Sequence, residues 1–183
     1  NDINIYNILS SLAVLKSLNL CLGKTVEFFK KFQPLEGRGK IHKIQRYKIN
    51  FKLIDESYNA NPLSVKNAII NLSKLKKNNC KKYLLLGDML ELGYKSEYYH
   101  RKLSKFINNT DIDKVFVYGN KILNTYKYTK KNKQGNILQC RKDFDEIFSK
   151  VIKKNDYLMI KGSNATGLNK ISKSIIKGAS YAV

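Results

Sequence analysis

The sequence has 183 residues, of which 43% are hydrophobic, so it is long enough for one domain with a buried core and at most an appendage. The 35 lysines and arginines against 14 aspartates and glutamates give a net charge of +21, which raises nucleic acid or an anionic membrane as partners. Nearly all the basic residues are lysines spread along the whole chain without interleaved arginine and aromatic residues. We therefore interpret them as a solvated surface and expect no nucleic-acid partner.

Cysteine usage and hydropathy indicate the cellular compartment in which the protein is expected. Cys21, Cys80 and Cys140 are widely spaced without a CxxC pair, and only His42 and His100 could join them in a metal site. We interpret the three cysteines as reduced thiols of a cytoplasmic protein and expect no metal site. No stretch approaches the roughly 18 apolar residues of a membrane span, and we expect no signal peptide. Because the first residue is not methionine and a helical pattern begins at once, we expect a part of a longer protein.

The amino-terminal third changes its periodicity once. Apolar residues recur at helical spacing from Ile5 to Leu15 and again from Val26 to Phe32, which predicts a helical pair ending at residues 33–34. Apolar and polar residues then alternate over residues 47–53. This alternation predicts a strand, or a hairpin bent near Asn50.

The rest of the chain alternates between strands and helices. The segment "DESYNANP" (55–62) ends in a helix start, with Asn61 as the cap and Pro62 at the first helical position. Short apolar runs predict strands at 83–86, 115–118, 137–138 and 157–160, and apolar stripes predict helices at 65–75, 96–106, 143–151 and 168–175. In the third of these helices, Asp143 and Glu146 resemble a capping box. The alternation predicts an α/β fold with a mostly parallel sheet flanked by helices.

Polar or glycine-containing segments follow four of the predicted strands. They are residues 55–61, "GDMLELG" (87–93), residues 119–120 and "KGSN" (161–164). Ligands of parallel sheets bind beyond the carboxyl ends of the strands, and glycine lets the backbone approach a ligand closely. The sequence therefore predicts a ligand site at one edge of the sheet.

Two other features are interpreted as structural. The "GKT" of residues 23–25 resembles the end of a phosphate-binding loop, but the full pattern requires a glycine where this chain has Leu18. We interpret it as a helix boundary. His42 is predicted to lie on the surface, and His100 is predicted to make a structural hydrogen bond near "GDMLELG", with a ligand contact as the alternative.

Five motifs follow one another in an order and spacing that cover nearly the whole chain. They are "NxxN" (4–7), "EGRG" (36–39), "LIDESYNANP" (53–62), "LLGDMLELG" (85–93) followed by His100, and "KGSN" (161–164). With them the chain resembles the carboxyl-terminal part of the Mur ligase family. The resemblance implies that residues 1–35 are the end of a central ATP-binding domain. Residues 36–183 would then form the family's Rossmann-like carboxyl-terminal domain.

The resemblance implies an ATP-dependent, amide-forming ligase of peptidoglycan precursor synthesis, in the branch that adds D-Ala-D-Ala to a UDP-N-acetylmuramoyl tripeptide. In that reaction ATP phosphorylates the tripeptide carboxylate, the dipeptide amine attacks the acyl phosphate, and Mg²⁺ offsets phosphate charge. The family's phosphate-binding loop, Mg²⁺ ligands and carbamylated lysine are not found in these 183 residues. We therefore expect ATP and Mg²⁺ to be bound mainly by the rest of the parent, and this chain alone to be an inactive monomer.

The resemblance also implies a set of ATP-binding residues, called the ATP side below. Asn4 and Asn7 match asparagines near the adenine, Arg38 matches an arginine that reaches ATP, and Asp55 matches the acceptor of the ribose hydroxyls. One departure concerns this side, since Ile3 replaces a histidine that many relatives carry.

The remaining polar residues of the predicted sheet edge are assigned to the dipeptide. Ser163 and Asn164 are expected to bind its carboxylate, although relatives commonly have arginine in place of Asn164. Asp88 and Glu91 are expected near its amine or to orient neighbouring groups. The full set is Tyr58, Asn59, Asn61, Asp88, Glu91, Lys161, Ser163 and Asn164. The alternatives are helix capping for Asn59 and Asn61 and a turn acceptor for Asp88.

Two other classes remain open. A non-enzymatic α/β module that binds a small ligand explains the polar strand ends, and a nucleic-acid-binding fragment explains the charge. DNA binding with a steep salt dependence would favour the second class.

Overall fold

The computed structural model describes residues 2–23, 25, 27, 34–46, 49–76 and 79–178, apart from the side chains of 2–4, 46 and 141. The chain divides into two compact units, Asn1–Pro34 and Leu35–Val183. The first unit contains helix α1 (Asp2–Ser17). Much of the predicted second helix, including Val26, lies outside the described residues. The assignment of residues 1–35 to an ATP-binding domain stays a prediction.

A six-stranded sheet forms the centre of the second unit. Its strands are β1 (Lys40–Arg46), β2 (Ile49–Glu56), β3 (Lys82–Gly87), β4 (Lys114–Tyr118), β5 (Gln134–Leu138) and β6 (Tyr157–Lys161). They are arranged in the order β1-β2-β6-β3-β4-β5. Among the six described strands, the edge strand β1 alone pairs in the antiparallel direction, so the predicted α/β class with a mostly parallel sheet is confirmed.

Helices cover both faces of this sheet. They are α2 (Pro62–Lys74), α3 (Ser96–Asn108), α4 (Leu123–Tyr128), α5 (Arg141–Glu146), which continues as a π-helical turn (Ile147–Val151), and α6 (Leu168–Lys177). One apolar core lies between the sheet and α2 and α3, and the other between the sheet and α5 and α6. Leu84 belongs to the first core and Leu85 to the second, so β3 is buried on both faces, as its uninterrupted apolar run predicts.

Two local predictions are corrected by the structure, and one short helix had no prediction. Asn50 lies inside β2 opposite Gln45, so the predicted bend is not located at Asn50. Helix α5 begins at Arg141 instead of Asp143. Asp143 occupies the third helical position, where its carboxylate accepts the backbone N–H groups of Gln139 and Cys140 at 2.6 and 2.9 Å. The short helix α4 was not predicted at all.

The compartment prediction rests on the cysteines and on hydropathy. All three cysteines are free thiols, with Cys80 buried and the other two exposed. Among the described helices, none combines the length and apolar character that crossing a bilayer requires. The cytoplasmic location stays a prediction.

The start of α2 follows the prediction. The Ser64 N–H donates to Asn61 Oδ1 at 2.8 Å, and the Asn61 N–H donates in return to Ser64 Oγ at 3.1 Å. Pro62 occupies the first turn, where the missing N–H costs nothing. This reciprocal cap fixes where the chain turns from the end of β2 into the helix.

Asn61→Ala should lower the free energy of unfolding by about 1 kcal/mol, because the Ser64 N–H loses its acceptor. Asn61→Asp keeps an acceptor oxygen at the same position and should remain near the wild type. Urea denaturation measures both variants. Equal unfolding midpoints for the two variants would show that the cap does not stabilise α2.

Candidate functional site

The loops that leave β2, β3 and β6 surround a groove of about 610 Å³. Residues 58–61, 90–92 and 163–165 line it. Six of the eight residues predicted for the dipeptide are among them: Tyr58, Asn59, Asn61, Glu91, Ser163 and Asn164. The other two, Asp88 and Lys161, lie behind the lining and contact the segments that form it. Parallel neighbouring strands thus bring together polar residues that are up to about a hundred positions apart in the sequence.

Ser163 joins all three walls of the groove. Its side chain is buried, and Oγ accepts the Leu90 N–H at 2.9 Å and donates to the Ala60 carbonyl at 3.3 Å. Its backbone N–H donates to the Asp88 carbonyl at 3.0 Å. A hydroxyl has a single proton to donate, so the Ser163 side chain has none left for a ligand carboxylate. We interpret Ser163 as a residue that holds the walls together.

Lys161 supports the wall formed by residues 58–61 from behind. It is 2% exposed, and its Nζ donates to Glu56 Oε2 at 3.2 Å and to the Asn59 carbonyl at 3.0 Å. Burial lowers the pKa of Lys161, and the neighbouring Glu56 carboxylate opposes that shift. Because both bonds are internal, Lys161 ties the end of β6 to the chain that leaves β2.

Asp88 connects the loop after β3 to the next crossover. Its Oδ1 accepts the Ile122 N–H at 2.7 Å. Gly119, at a φ of 124°, lies so close that a Cβ there would be 2.6 Å from the Asp88 Cγ, so a side chain cannot be accommodated without movement. The geometry fits the turn-acceptor alternative for Asp88.

His100 fixes the same loop onto α3. The ring is fully buried, and Nε2 accepts the Met89 N–H at 3.0 Å, so Nδ1 carries the proton and donates to the Ser96 carbonyl at 2.7 Å. Burial lowers the pKa of His100, against the opposing effects of the Ser96 hydrogen bond and the Asp88 charge. The structural interpretation of His100 is confirmed, and the ligand-contact alternative does not fit a ring without exposure.

The asparagines of the groove use their carbonyl oxygens internally. Asn59 Oδ1 accepts the Ala60 N–H at 2.7 Å, Asn61 Oδ1 caps α2, and Asn164 Oδ1 accepts from the Asn169 amide. Within the described part of the chain, the three amide NH₂ groups have no hydrogen-bond partner. The groove therefore offers neutral donors to a ligand.

The predicted ATP residue Asp55 is almost fully buried. It is 2% exposed, its Oδ1 accepts from the Ser57 N–H at 3.2 Å and from the Ser57 hydroxyl at 2.6 Å, and its Oδ2 accepts the Gly37 N–H at 3.0 Å. A carboxylate has about four acceptor positions, which leaves one on Oδ2. Asp55 therefore organises the "EGRG" turn and keeps one unused acceptor position among the described residues.

Arg38 is exposed and stacks on an aromatic ring of the groove. Its guanidinium carbon lies 4.3 Å from the ring centroid of Tyr58, whose N–H donates to the Gly37 carbonyl at 3.1 Å. No ion pair joins Arg38 to Asp55 among the described residues. The predicted ATP side and the groove thus share the Arg38–Tyr58 stack.

The amino-terminal pair of the predicted ATP side belongs to the other unit. Asn7 is exposed on α1, and the side chain of Asn4 lies outside the described residues. The four ATP residues are therefore divided between the two units, and their grouping stays a prediction.

Sequence reasoning missed Glu56 and Leu90. Glu56 follows Asp55 at the end of β2 and pairs in register with Lys161, so a search for opposite charges at neighbouring strand ends would have found it. Leu90 contributes a backbone N–H to the Ser163 bond, and no feature of its side chain indicates this.

Comparison with known proteins matches residues 41–164 to the family described as Mur ligase, glutamate ligase domain. Over 131 residues the chain is 33% identical to the UDP-N-acetylmuramoyl-tripeptide--D-alanyl-D-alanine ligase of Bacillus subtilis (strain 168), covering 68% of this chain and 28% of that protein. The protein of the same name from Rickettsia prowazekii (strain Madrid E) is 29% identical over 154 residues, covering 82% and 33%. The chain thus spans about a third of the length of these relatives.

Solved structures share the fold. A MurF ligase from Thermotoga maritima in complex with ADP superimposes with a TM-score of 0.75 at 22% identity, covering 96% of this chain and 39% of that one. MurF from Acinetobacter baumannii gives 0.78 at 20% identity, covering 97% and 38%. At these identities the likeness supports the fold alone.

Stability should fall as the pH is lowered through the range below about 6.5, because the unfolded chain then binds protons that the buried His100 ring does not. His42 was predicted to lie on the surface, but it is half-buried and its Nε2 has no hydrogen-bond partner. Burial lowers the pKa of His42 as well, so it adds to the dependence of stability on pH. His100→Gln, whose carbonyl can still accept the Met89 N–H, should reduce the slope. Urea midpoints at pH 7.5, 6.5 and 5.5 measure it, with His42→Gln as the control for the second contribution. An unchanged slope in His100→Gln would contradict this interpretation.

Ser163→Ala should lower the free energy of unfolding by about 1–3 kcal/mol, since it leaves the Leu90 N–H and the Ala60 carbonyl without their partner. Ser149→Ala is the matched control, because the Ser149 hydroxyl is exposed and bonds only within its own helix. Thermal or urea unfolding of both variants decides the point. Equal stability of the two variants would show that the Ser163 hydroxyl does not hold the walls.

Proposed function

This chain belongs to the Mur ligase family, and we propose that it is the carboxyl-terminal part of an ATP-dependent ligase that adds D-Ala-D-Ala to a UDP-N-acetylmuramoyl tripeptide. The observation that carries the proposal is a groove at the ends of β2, β3 and β6, which is lined by six of the residues predicted for the dipeptide. The names of the relatives from Bacillus subtilis and Rickettsia prowazekii support this reaction. Its place would be peptidoglycan precursor synthesis, hence cell-wall formation, cell shape and division.

The groove has suitable size and chemistry for a dipeptide. Its volume of about 610 Å³ lies within the range of about 300–1,000 Å³ that is usual for small-molecule sites. The amide NH₂ groups of Asn59, Asn61 and Asn164 can donate to the peptide carbonyl and the carboxylate. The Tyr58 ring offers an apolar surface to the alanine methyl groups. Asp88, Lys161 and Ser163 keep these groups in place.

The residues of the second unit fit part of an ATP site. Arg38 is exposed, and a guanidinium forks onto phosphate oxygens. Asp55 retains one acceptor position for a hydroxyl. When bound in the parent, ATP supplies the phosphoryl group that activates the tripeptide carboxylate. Among the described residues, no group of three or more His, Cys, Asp or Glu could hold a metal ion, so Mg²⁺ is not assigned to them.

The contact between Arg38 and Tyr58 links the two sides of the proposed site. A substrate that orders the Tyr58 ring in the groove also restricts the guanidinium stacked on it. Because catalysis of a ligation depends on holding the reactants in one geometry, such a shared contact favours simultaneous occupation of both sides.

The monomeric state expected from the sequence is part of this proposal.

Titration of D-Ala-D-Ala into the ¹⁵N-labelled 183-residue chain tests the proposed function. We expect chemical-shift changes in the groove segments 58–61, 90–92 and 163–165, because the ligand displaces water from them. L-Ala-L-Ala has the same atoms in the opposite configuration and should produce smaller changes at equal concentration. Changes confined to other parts of the chain, or none, would contradict the proposed function.

A further inference from the structure

The outer surface of α3 and α4 carries tyrosine rings with cations stacked on them. The Arg101 guanidinium carbon lies 4.3 Å from the ring centroid of Tyr128, which joins the two helices, and Lys127 Nζ lies 5.9 Å from the same ring. Lys102 Nζ lies 5.6 Å from the ring centroid of Tyr98. These five residues are called the basic tyrosine face below. Arg101 and Tyr128 are far apart in the sequence, so the composition alone shows only scattered basic residues.

The rings of this face are open to solvent. Tyr98 is 58% exposed and Tyr128 is 40% exposed. The turn before α3 adds Tyr94, which is 92% exposed, with Lys95 Nζ 5.4 Å from its ring centroid. A single exposed apolar residue is ordinary, whereas exposed rings that are grouped on one surface indicate an interaction site. Packing of the core does not account for these rings, since they are not buried in it.

Positive charge dominates the same side of the chain. The segments that follow the face along α3 and on both sides of α4 add further exposed lysines, which are Lys105, Lys121, Lys130 and Lys131. Within the described stretch 94–131 the exposed acids are Glu97 and Asp111, and the Asp111 carboxylate lies 2.7 Å from the buried Lys82 Nζ. This side of the chain therefore complements a negatively charged partner.

We propose that the basic tyrosine face docks the chain on the surface of a bilayer that contains anionic lipids. Lysine and arginine side chains are attracted to lipid phosphates. Tyrosine rings are favoured at the level of the headgroups, where the apolar ring and the polar hydroxyl both find a suitable environment. The inference goes beyond the proposed function, because none of these residues lines the groove.

The geometry favours a bilayer over single-stranded nucleic acid. Nucleic-acid bases bind by stacking on open ring faces, and on this face Arg101 and Lys102 already lie over the rings. The apolar side of α3 is buried in the core with Leu103 and Ile107, so the helix has no apolar stripe to insert among the acyl chains. The expected contact is therefore limited to the headgroups and sensitive to salt.

Co-sedimentation of the 183-residue chain with phospholipid vesicles tests the inference. We expect binding to vesicles of phosphatidylcholine with about a third phosphatidylglycerol, loss of that binding as the salt concentration is raised, and no binding to pure phosphatidylcholine. Lys102→Gln combined with Lys127→Gln should weaken binding by about 25-fold, since each cation near an anionic membrane strengthens binding by about fivefold.

Lys170→Gln combined with Lys177→Gln is the matched control. Both lysines are exposed on α6, at the other face of the sheet, and their replacement changes the net charge equally. This control should bind the vesicles nearly as well as the wild type. Tyr94→Ser combined with Tyr98→Ser keeps the charge and should weaken binding several-fold, because the rings no longer reach the headgroups. Urea midpoints of all three variants check that the fold is kept.

Equal losses in the two lysine variants would overturn the inference, because net charge alone would then explain the attraction. Unchanged binding in the tyrosine variant would overturn it as well. Absence of binding to the anionic vesicles would also overturn it, and binding of a single-stranded oligonucleotide that is lost in the Lys102→Gln and Lys127→Gln variant would assign the face to nucleic acid instead. Each of these outcomes leaves the proposed function standing, because the groove is not involved.

Discussion

The hydrogen bonds of the Ser163 hydroxyl are the contact on which the groove depends. Strand β6 lies between β2 and β3, so the loop that follows it is the one that neighbours both other loops. From that position one hydroxyl reaches Leu90 on one side and Ala60 on the other. Without it, the partly buried Leu90 N–H and the buried Ala60 carbonyl would lose this partner, and the three loops would be joined less firmly.

Burial separates the polar residues of this edge into two groups. The buried ones, Lys161, His100 and Asp55, bond mainly to neighbouring protein groups and fix the loops. The exposed ones, such as Tyr58 and Glu91, keep atoms that a ligand can reach. A rigid set of loops with a few accessible polar groups is what selective binding of a small substrate requires.

The sequence predicted the sheet because strands buried on both faces need uninterrupted apolar runs such as residues 83–86. It did not predict α4, whose six residues are too few to show a helical period. The strand-end rule placed Ser163 and Asn164 at the groove, but the direction of the Ser163 hydroxyl depends on residues 73 and 103 positions away. Such long-range partners leave no local pattern, so the supporting role of Ser163 could be found only in three dimensions.

In the proposed function, the groove between these loops receives the D-Ala-D-Ala acceptor. A crystal structure of the chain grown with D-Ala-D-Ala tests it most directly. We expect the dipeptide between residues 58–61 and 163–165, with its amine within hydrogen-bonding distance of the Glu91 carboxylate. A dipeptide bound outside these loops, or one whose amine points away from Glu91 with its carboxylate against that wall, would contradict it.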